Sequence, residues 1–94
     1  MSAVKIYSTP ICGYCVMAKR LLEKRGVAYE EINAAGQSDL RDWLIEQTGQ
    51  RTVPQIFIHD QPIGGFMELN ALDRAGELMA RIEAGPTSGG ATER

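Results

Sequence analysis

Two cysteines, Cys12 and Cys15, stand where a run of strand-forming residues gives way to a helical pattern, and this joint limits the fold more than any other feature of the chain. Ala3-Val4-Lys5-Ile6-Tyr7 is β-branched and aromatic and predicts a first strand. Ser8-Thr9-Pro10-Ile11 carries turn chemistry. From Cys12 to Arg25 the spacing becomes helical: Cys15, Ala18 and Leu22 share a face, Met17 and Leu21 lie beside it, and Lys19, Arg20, Glu23 and Lys24 point elsewhere. Gly26 is a natural stop, and Lys24 and Arg25 suit the negative end of the helix dipole. A strand that turns straight into a helix sets Cys12 against amide groups with no partner inside the helix.

The remainder of the chain extends this pattern. Val27 to Ile32 predicts a second strand and Asn33 to Gln37 a loop. Ser38 is a candidate N-cap, with Asp39 and Asp42 in the first turn of a helix whose stripe is Leu40, Trp43, Leu44 and Gln47 and whose end is Gly49. Val53 to Ile58 predicts a third strand, interrupted near its start by Pro54; His59-Asp60 is a tight turn and Gln61 to Gly64 a fourth strand. Phe66 to about Ala84 predicts a third helix with Leu69, Leu72, Ala75, Met79 and Ile82 on one side, weakened by Gly76. The order β-α-β-α-β-β-α is an α/β arrangement: a four-stranded mixed sheet flanked by three α-helices, its first two strands parallel. One domain is expected over residues 1–84, with a disordered C-terminal tail over 85–94.

At 94 residues the chain has room for one core. A net charge of −2 supplies no electrostatic footprint for nucleic acid and no polybasic membrane signal. No apolar run reaches the roughly 20 residues a membrane helix needs, and the first residues lack the pattern of a secretory signal. A cytoplasmic, monomeric protein is expected, in a reducing environment. Two cysteines are too few for a disulfide framework.

The spacing of those cysteines points to exchange chemistry instead. The positive end of the helix dipole stabilises a thiolate at Cys12, giving it a depressed pKa and nucleophilic character near neutral pH. Cys15, one turn further in on the apolar side, is placed to attack a mixed disulfide formed at Cys12. Half of a zinc site, a structural disulfide and a pair of inert core thiols are the other readings of such a pair. A lone C-x-x-C is weak; after a strand and at the head of a helix it is much stronger. Pro54 would remove a ladder hydrogen bond from an apolar strand, which leaves either a trans proline at an edge or a cis Val53–Pro54 bond open. Phe57 and Trp43 read as core, and His59 as an exposed turn residue.

Cys12-Gly13-Tyr14-Cys15, Thr52-Val53-Pro54-Gln55-Ile56-Phe57-Ile58 and Ile63-Gly64-Gly65, at these separations, resemble a glutaredoxin of the dithiol type. The resemblance spans residues 3 to about 84. It implies a thioredoxin-like fold, a cis peptide bond at Pro54, and glutathione-dependent reduction of protein disulfides and glutathione mixed disulfides. Carried over residue by residue, it makes Cys12 the nucleophile that holds the glutathionyl sulfur and Cys15 the resolving thiol. Tyr14 would flank the sulfur, and Thr52, Val53 and Pro54 would meet the tripeptide backbone. Arg41 would meet the glycine carboxylate. Gly64, Gly65, Phe66 and Met67, leading into the third helix, would receive the γ-glutamyl carboxylate at a positive helix end.

Three departures from the family pattern bear on this. Gly13 stands where many dithiol members have proline, and Thr9 where a lysine is frequent. Phe66 and Met67 replace a small residue and an acid, so an acidic partner for the γ-glutamyl amine is missing, with Glu68 next along. Two alternative functions follow. Some relatives lacking the motif proline share a [2Fe–2S] cluster between two protomers through the first cysteine and glutathione, which would make Cys12 a ligand. Alternatively, Phe66 and Met67 would make this a thioredoxin-fold binding module with weak glutathione use.

Overall fold

The computed structural model describes residues 3–85. Its elements are β1 Val4–Ser8, α1 Gly13–Lys24, β2 Tyr29–Asn33, α2 Ser38–Thr48, β3 Gln55–Ile58, β4 Gln61–Gly64, α3 Phe66–Arg74 and α4 Leu78–Glu83. The strands form one sheet in the order β2-β1-β3-β4. β1 runs parallel to β2 and antiparallel to β3, and β3 is antiparallel to β4. This is the expected four-stranded mixed sheet of a thioredoxin-like fold, with four helices rather than three.

Side chains alternate across the pleat, so one strand feeds two cores. Val4 and Ile6 of β1 and Ile56 and Ile58 of β3 point to one face, where Ala18 and Leu22 of α1, Leu69 of α3 and Leu78 of α4 cover them. Tyr7 and Phe57 point to the other face and pack with Ala34 and Leu44. Trp43 corrects the expectation of a core residue: it is 40% exposed, lying flat on Phe57 with ring centroids 5.7 Å apart and tilted against Tyr7. It roofs the second core rather than filling it. Burial raises the Tyr7 pKa, and burial followed by a hydrogen bond to Glu23 pushes Tyr29 up to about 12.

Element ends differ from the periodicity where backbone bonding intervenes. Val27 was expected in β2. Its N–H instead donates to Leu22 O at 2.9 Å, closing α1, so pairing with β1 starts at Tyr29. Ser38 is the first residue of α2 rather than its cap; Gln37 takes the cap position and turns its side-chain amide to Asn33 O. β3 starts at Gln55, after Pro54, which has no N–H to give the ladder, and the Val53–Pro54 bond is cis. His59 and Asp60 both have positive φ, the geometry that joins two twisted strands through a two-residue loop. His59 is not a free turn residue: it is half-buried, with Nε2 2.7 Å from Ile82 O.

The long third helix is two helices. Gly76 takes φ +74, and Glu77 N–H donates back to Leu72 O at 2.9 Å. The break resets the helical phase. Leu78 is buried, while Ala75 and Met79 face solvent. Arg25, just past α1, forks onto Asp73 of α3 at 2.7 and 2.9 Å, and this ion pair holds the Asp73 carboxyl below the usual carboxylate range. Of the tail expected over 85–94, residues 86–94 lie outside the described residues.

Candidate active site

Cys12 occupies the N-cap of α1 with extended backbone, φ −155 and ψ 106. Its Sγ accepts from the backbone N–H of Cys15 at 3.1 Å, and α1 carries no acid in its first turn to compete for that positive end. The two cysteines are joined in a disulfide with Cα atoms 5.2 Å apart. Their exposures differ sharply: Cys15 is 1% exposed and Cys12 half-buried, so only Cys12 can be reached from outside. Cys12 Sγ also lies 3.7 Å from Val53 O, which ties the α1 cap to the segment leading into β3.

Beside this cap runs a groove of about 590 Å³. Tyr14, Thr52, Val53, Pro54, Gly65, Phe66 and Met67, which the sequence places far apart, all line it, and Gly64 and Glu68 join them. One wall is the aromatic pair Tyr14 and Phe66, stacked with centroids 6.0 Å apart. Gln47, Thr48 and Gln50, which sequence reasoning did not assign to the site, also line it. The signal available was a polar Gln47 on an otherwise apolar α2 stripe.

The N-terminus of α3 opens on this groove. The N–H groups of Phe66 and Met67, its first two residues, have no carbonyl partner within the helix. Glu68 reaches back to accept from Gly65 N–H at 2.7 Å, so its carboxylate caps the helix and is not free to stand in for an acid at Met67. Gly64 makes room for that carboxylate: a Cβ there would sit 2.7 Å from it, and φ is +117.

Arg41 is not part of the groove lining. Its guanidinium donates to Arg51 O at 3.2 Å, in a small adjoining recess that it shares with Thr52 and Val53. Cys12 and Cys15 line a separate recess together with Ser8, Lys19 and Glu31. There Glu31 accepts from Ser8 Oγ at 2.7 Å and from Lys19 Nζ at 2.9 Å, which lowers its pKa.

Comparison with known proteins gives one consistent picture. The glutaredoxin family model matches residues 4–63. A glutaredoxin of Pseudomonas aeruginosa is 45% identical over 84 residues, covering 89% of this chain and 100% of that protein. Glutaredoxin 3 of Escherichia coli is 45% identical over 78 residues, covering 83% and 94%. Among solved structures, a buckwheat glutaredoxin–glutathione complex superposes with a TM-score of 0.82 at 32% identity, over 88% of this chain and 78% of that one. The glutaredoxin of Brucella melitensis gives 0.77 at 40% identity, over 87% and 89%.

Proposed function

Because this chain belongs to the glutaredoxin family and carries its thiol–disulfide oxidoreductase cysteines at Cys12 and Cys15, we propose that it reduces protein disulfides and glutathione mixed disulfides with glutathione as the electron donor. The observation that carries this reading is the convergence of Tyr14, Thr52, Val53, Pro54, Gly65, Phe66 and Met67 on one groove beside the half-buried Cys12. The buckwheat relative solved with glutathione supports it.

In the mechanism, the Cys12 thiolate attacks the glutathionyl sulfur of a mixed disulfide. The S–S bond breaks, the substrate leaves as a thiolate and takes a proton from solvent, and Cys12 retains the glutathionyl group. A second glutathione, as its thiolate, attacks the glutathionyl sulfur, forms glutathione disulfide and returns the Cys12 thiolate. For a protein disulfide, Cys12 attacks first and Cys15 attacks the resulting mixed disulfide at the Cys12 sulfur. Cys15 loses its proton in that step, and the substrate's second thiol is released. Two glutathione molecules then reduce the Cys12–Cys15 disulfide. The tripeptide would lie along Thr52 and Val53 by strand-like addition, with its γ-glutamyl carboxylate at the Phe66 and Met67 amides. The groove lining gives Arg41 no direct place, so its contact with the glycine carboxylate requires the guanidinium to leave Arg51 O.

A shared [2Fe–2S] cluster would use the same reachable sulfur, that of Cys12, from each of two chains, with glutathione supplying the remaining thiolates. Among the described residues no helix is long and apolar enough to cross a membrane, and a dithiol reset by glutathione suits the cytoplasm.

A coupled assay on a small glutathione mixed disulfide tests the proposal. Turnover should vanish in Cys12→Ser and persist in Cys15→Ser. Equal turnover by the wild type and Cys12→Ser would overturn it.

A further inference from the structure

Residues 50–54 join α2 to β3 and bring Thr52 and Val53 to the groove. Among the described residues this segment makes no backbone–backbone hydrogen bond to the sheet or to α2. Side chains hold it instead. Arg41 donates to Arg51 O at 3.2 Å, and Cys12 Sγ lies 3.7 Å from Val53 O. Gln50 is gripped by both of its backbone polar groups. Thr48 Oγ1 accepts from Gln50 N–H at 3.0 Å, and Gln55 Nε2 donates to Gln50 O at 2.8 Å. Thr48 is itself fixed, its hydroxyl donating to Leu44 O at 2.8 Å within α2. Gln55 opens β3 and is only 4% exposed, on the strand face it shares with Phe57. An amide buried at such a place costs free energy unless it is bonded, and the bond it makes is to Gln50 O.

We propose that Thr48 and Gln55 are positioning residues that set the path of residues 51–54 and, through it, the affinity of the groove for the glutathione tripeptide. This deepens the reading that glutathione lies along Thr52 and Val53, and rests on it. Strand-like pairing needs a protein backbone whose N–H and C=O groups are unpaired and already in place. The first condition is met because no ladder claims Thr52 or Val53. The second is not automatic: a segment outside the ladder samples many paths, and ordering it on binding would weaken affinity. Thr48 ties Gln50 to the last residue of α2, and Gln55 ties it to the first residue of β3. The segment is thus referred at Gln50 to two rigid elements, and the effect on the ligand passes through that residue.

The test measures kcat and KM for the mixed disulfide of glutathione and cysteine, and the binding of S-methylglutathione, which cannot exchange, by NMR titration. Thr48→Val keeps the shape and loses the hydroxyl; Gln55→Met keeps the length and loses the amide. Each should raise KM and weaken S-methylglutathione about fivefold, the scale of one hydrogen bond, with kcat within about twofold. Thr48→Ser should restore the wild-type KM. Because both side chains act on Gln50, the double variant should lose no more than about tenfold, short of the product of the single losses. Alkylation of reduced Cys12 by iodoacetamide, which needs no tripeptide, should stay within about twofold throughout. Unchanged KM in the single variants, failure of Thr48→Ser to restore it, a double loss equal to the product, or alkylation that falls in step with affinity overturns the proposal. Should Gln55→Met fail to fold, Thr48→Val and Thr48→Ser decide alone. A wild type that neither turns over the mixed disulfide nor binds S-methylglutathione overturns the glutathione reading and the positioning role with it. A wild type that does both, matched by its variants, overturns the positioning role only.

Discussion

The backbone N–H of Cys15 is aimed at the sulfur of Cys12, 3.1 Å away, while the Cys15 side chain is sealed from solvent. In the proposed mechanism Cys15 thus serves Cys12 twice: its amide stabilises charge on the neighbouring sulfur, and its buried thiol is placed to attack only a disulfide formed at Cys12. This asymmetry would give two chemically identical groups different roles.

In the reduced protein the Cys12 thiolate should be favoured by that amide and by the positive end of α1. Alkylation by iodoacetamide, followed against pH, should show a midpoint below the roughly 8.5 of a free cysteine. A midpoint at the ordinary value would remove the nucleophile.

Met67 lines the groove and is 65% exposed, and Glu68 is held at Gly65 N–H. No acid is then free to meet the amine of a γ-glutamyl group. Met67→Asp should tighten glutathione binding by about 1 kcal/mol, or about fivefold, the scale of one exposed charge-assisted contact. Calorimetric titration of the two proteins with glutathione decides it, and equal affinities would retire the idea.

Gly76 separates two opposite expectations. Inside a continuous helix, Gly76→Ala would stabilise by up to about 1 kcal/mol. With φ at +74, alanine is strained instead, and the variant should be destabilised by about 1 kcal/mol. Denaturant unfolding gives the sign directly.

Asp73 and Arg25 clamp α3 to the end of α1. The Asp73 pKa is lowered, first by the hydrogen bond from Arg25. A depressed carboxyl adds stability above its unfolded pKa, and that stability is lost as pH falls through the folded value. Asp73→Asn should therefore melt below the wild type at pH 7, and the gap should close as pH drops below the roughly 3.9 of a free aspartate. Parallel melting curves from pH 7 to pH 2 would count against the clamp.

The short-range chemistry of the chain was open to reading. The strand-forming runs within Ala3–Tyr7 and Val53–Ile58, the stop at Gly26, the His59-Asp60 turn and the cysteine pair at a helix head depend on neighbours a few residues away. Other features did not, because distant partners decide them. His59 bonds to Ile82 O, 23 residues on, and no local pattern announces that. Trp43 fits the apolar stripe of α2, but the second core is already filled by Phe57 and Leu44, so the indole is left as a half-exposed roof.

By itself the sequence determined the order of elements as far as Phe66 and placed one thiol at the head of a helix, since both follow from backbone propensity and the partnerless amides of a first turn. Only the tertiary structure decided that Gly76 turns left-handed and moves burial from Met79 to Leu78, that Glu68 is spent on a cap, and that Thr52 and Met67 face the same groove. Those outcomes depend on which surfaces meet when the sheet closes, and contacts between residues far apart in the chain leave no periodic trace in it.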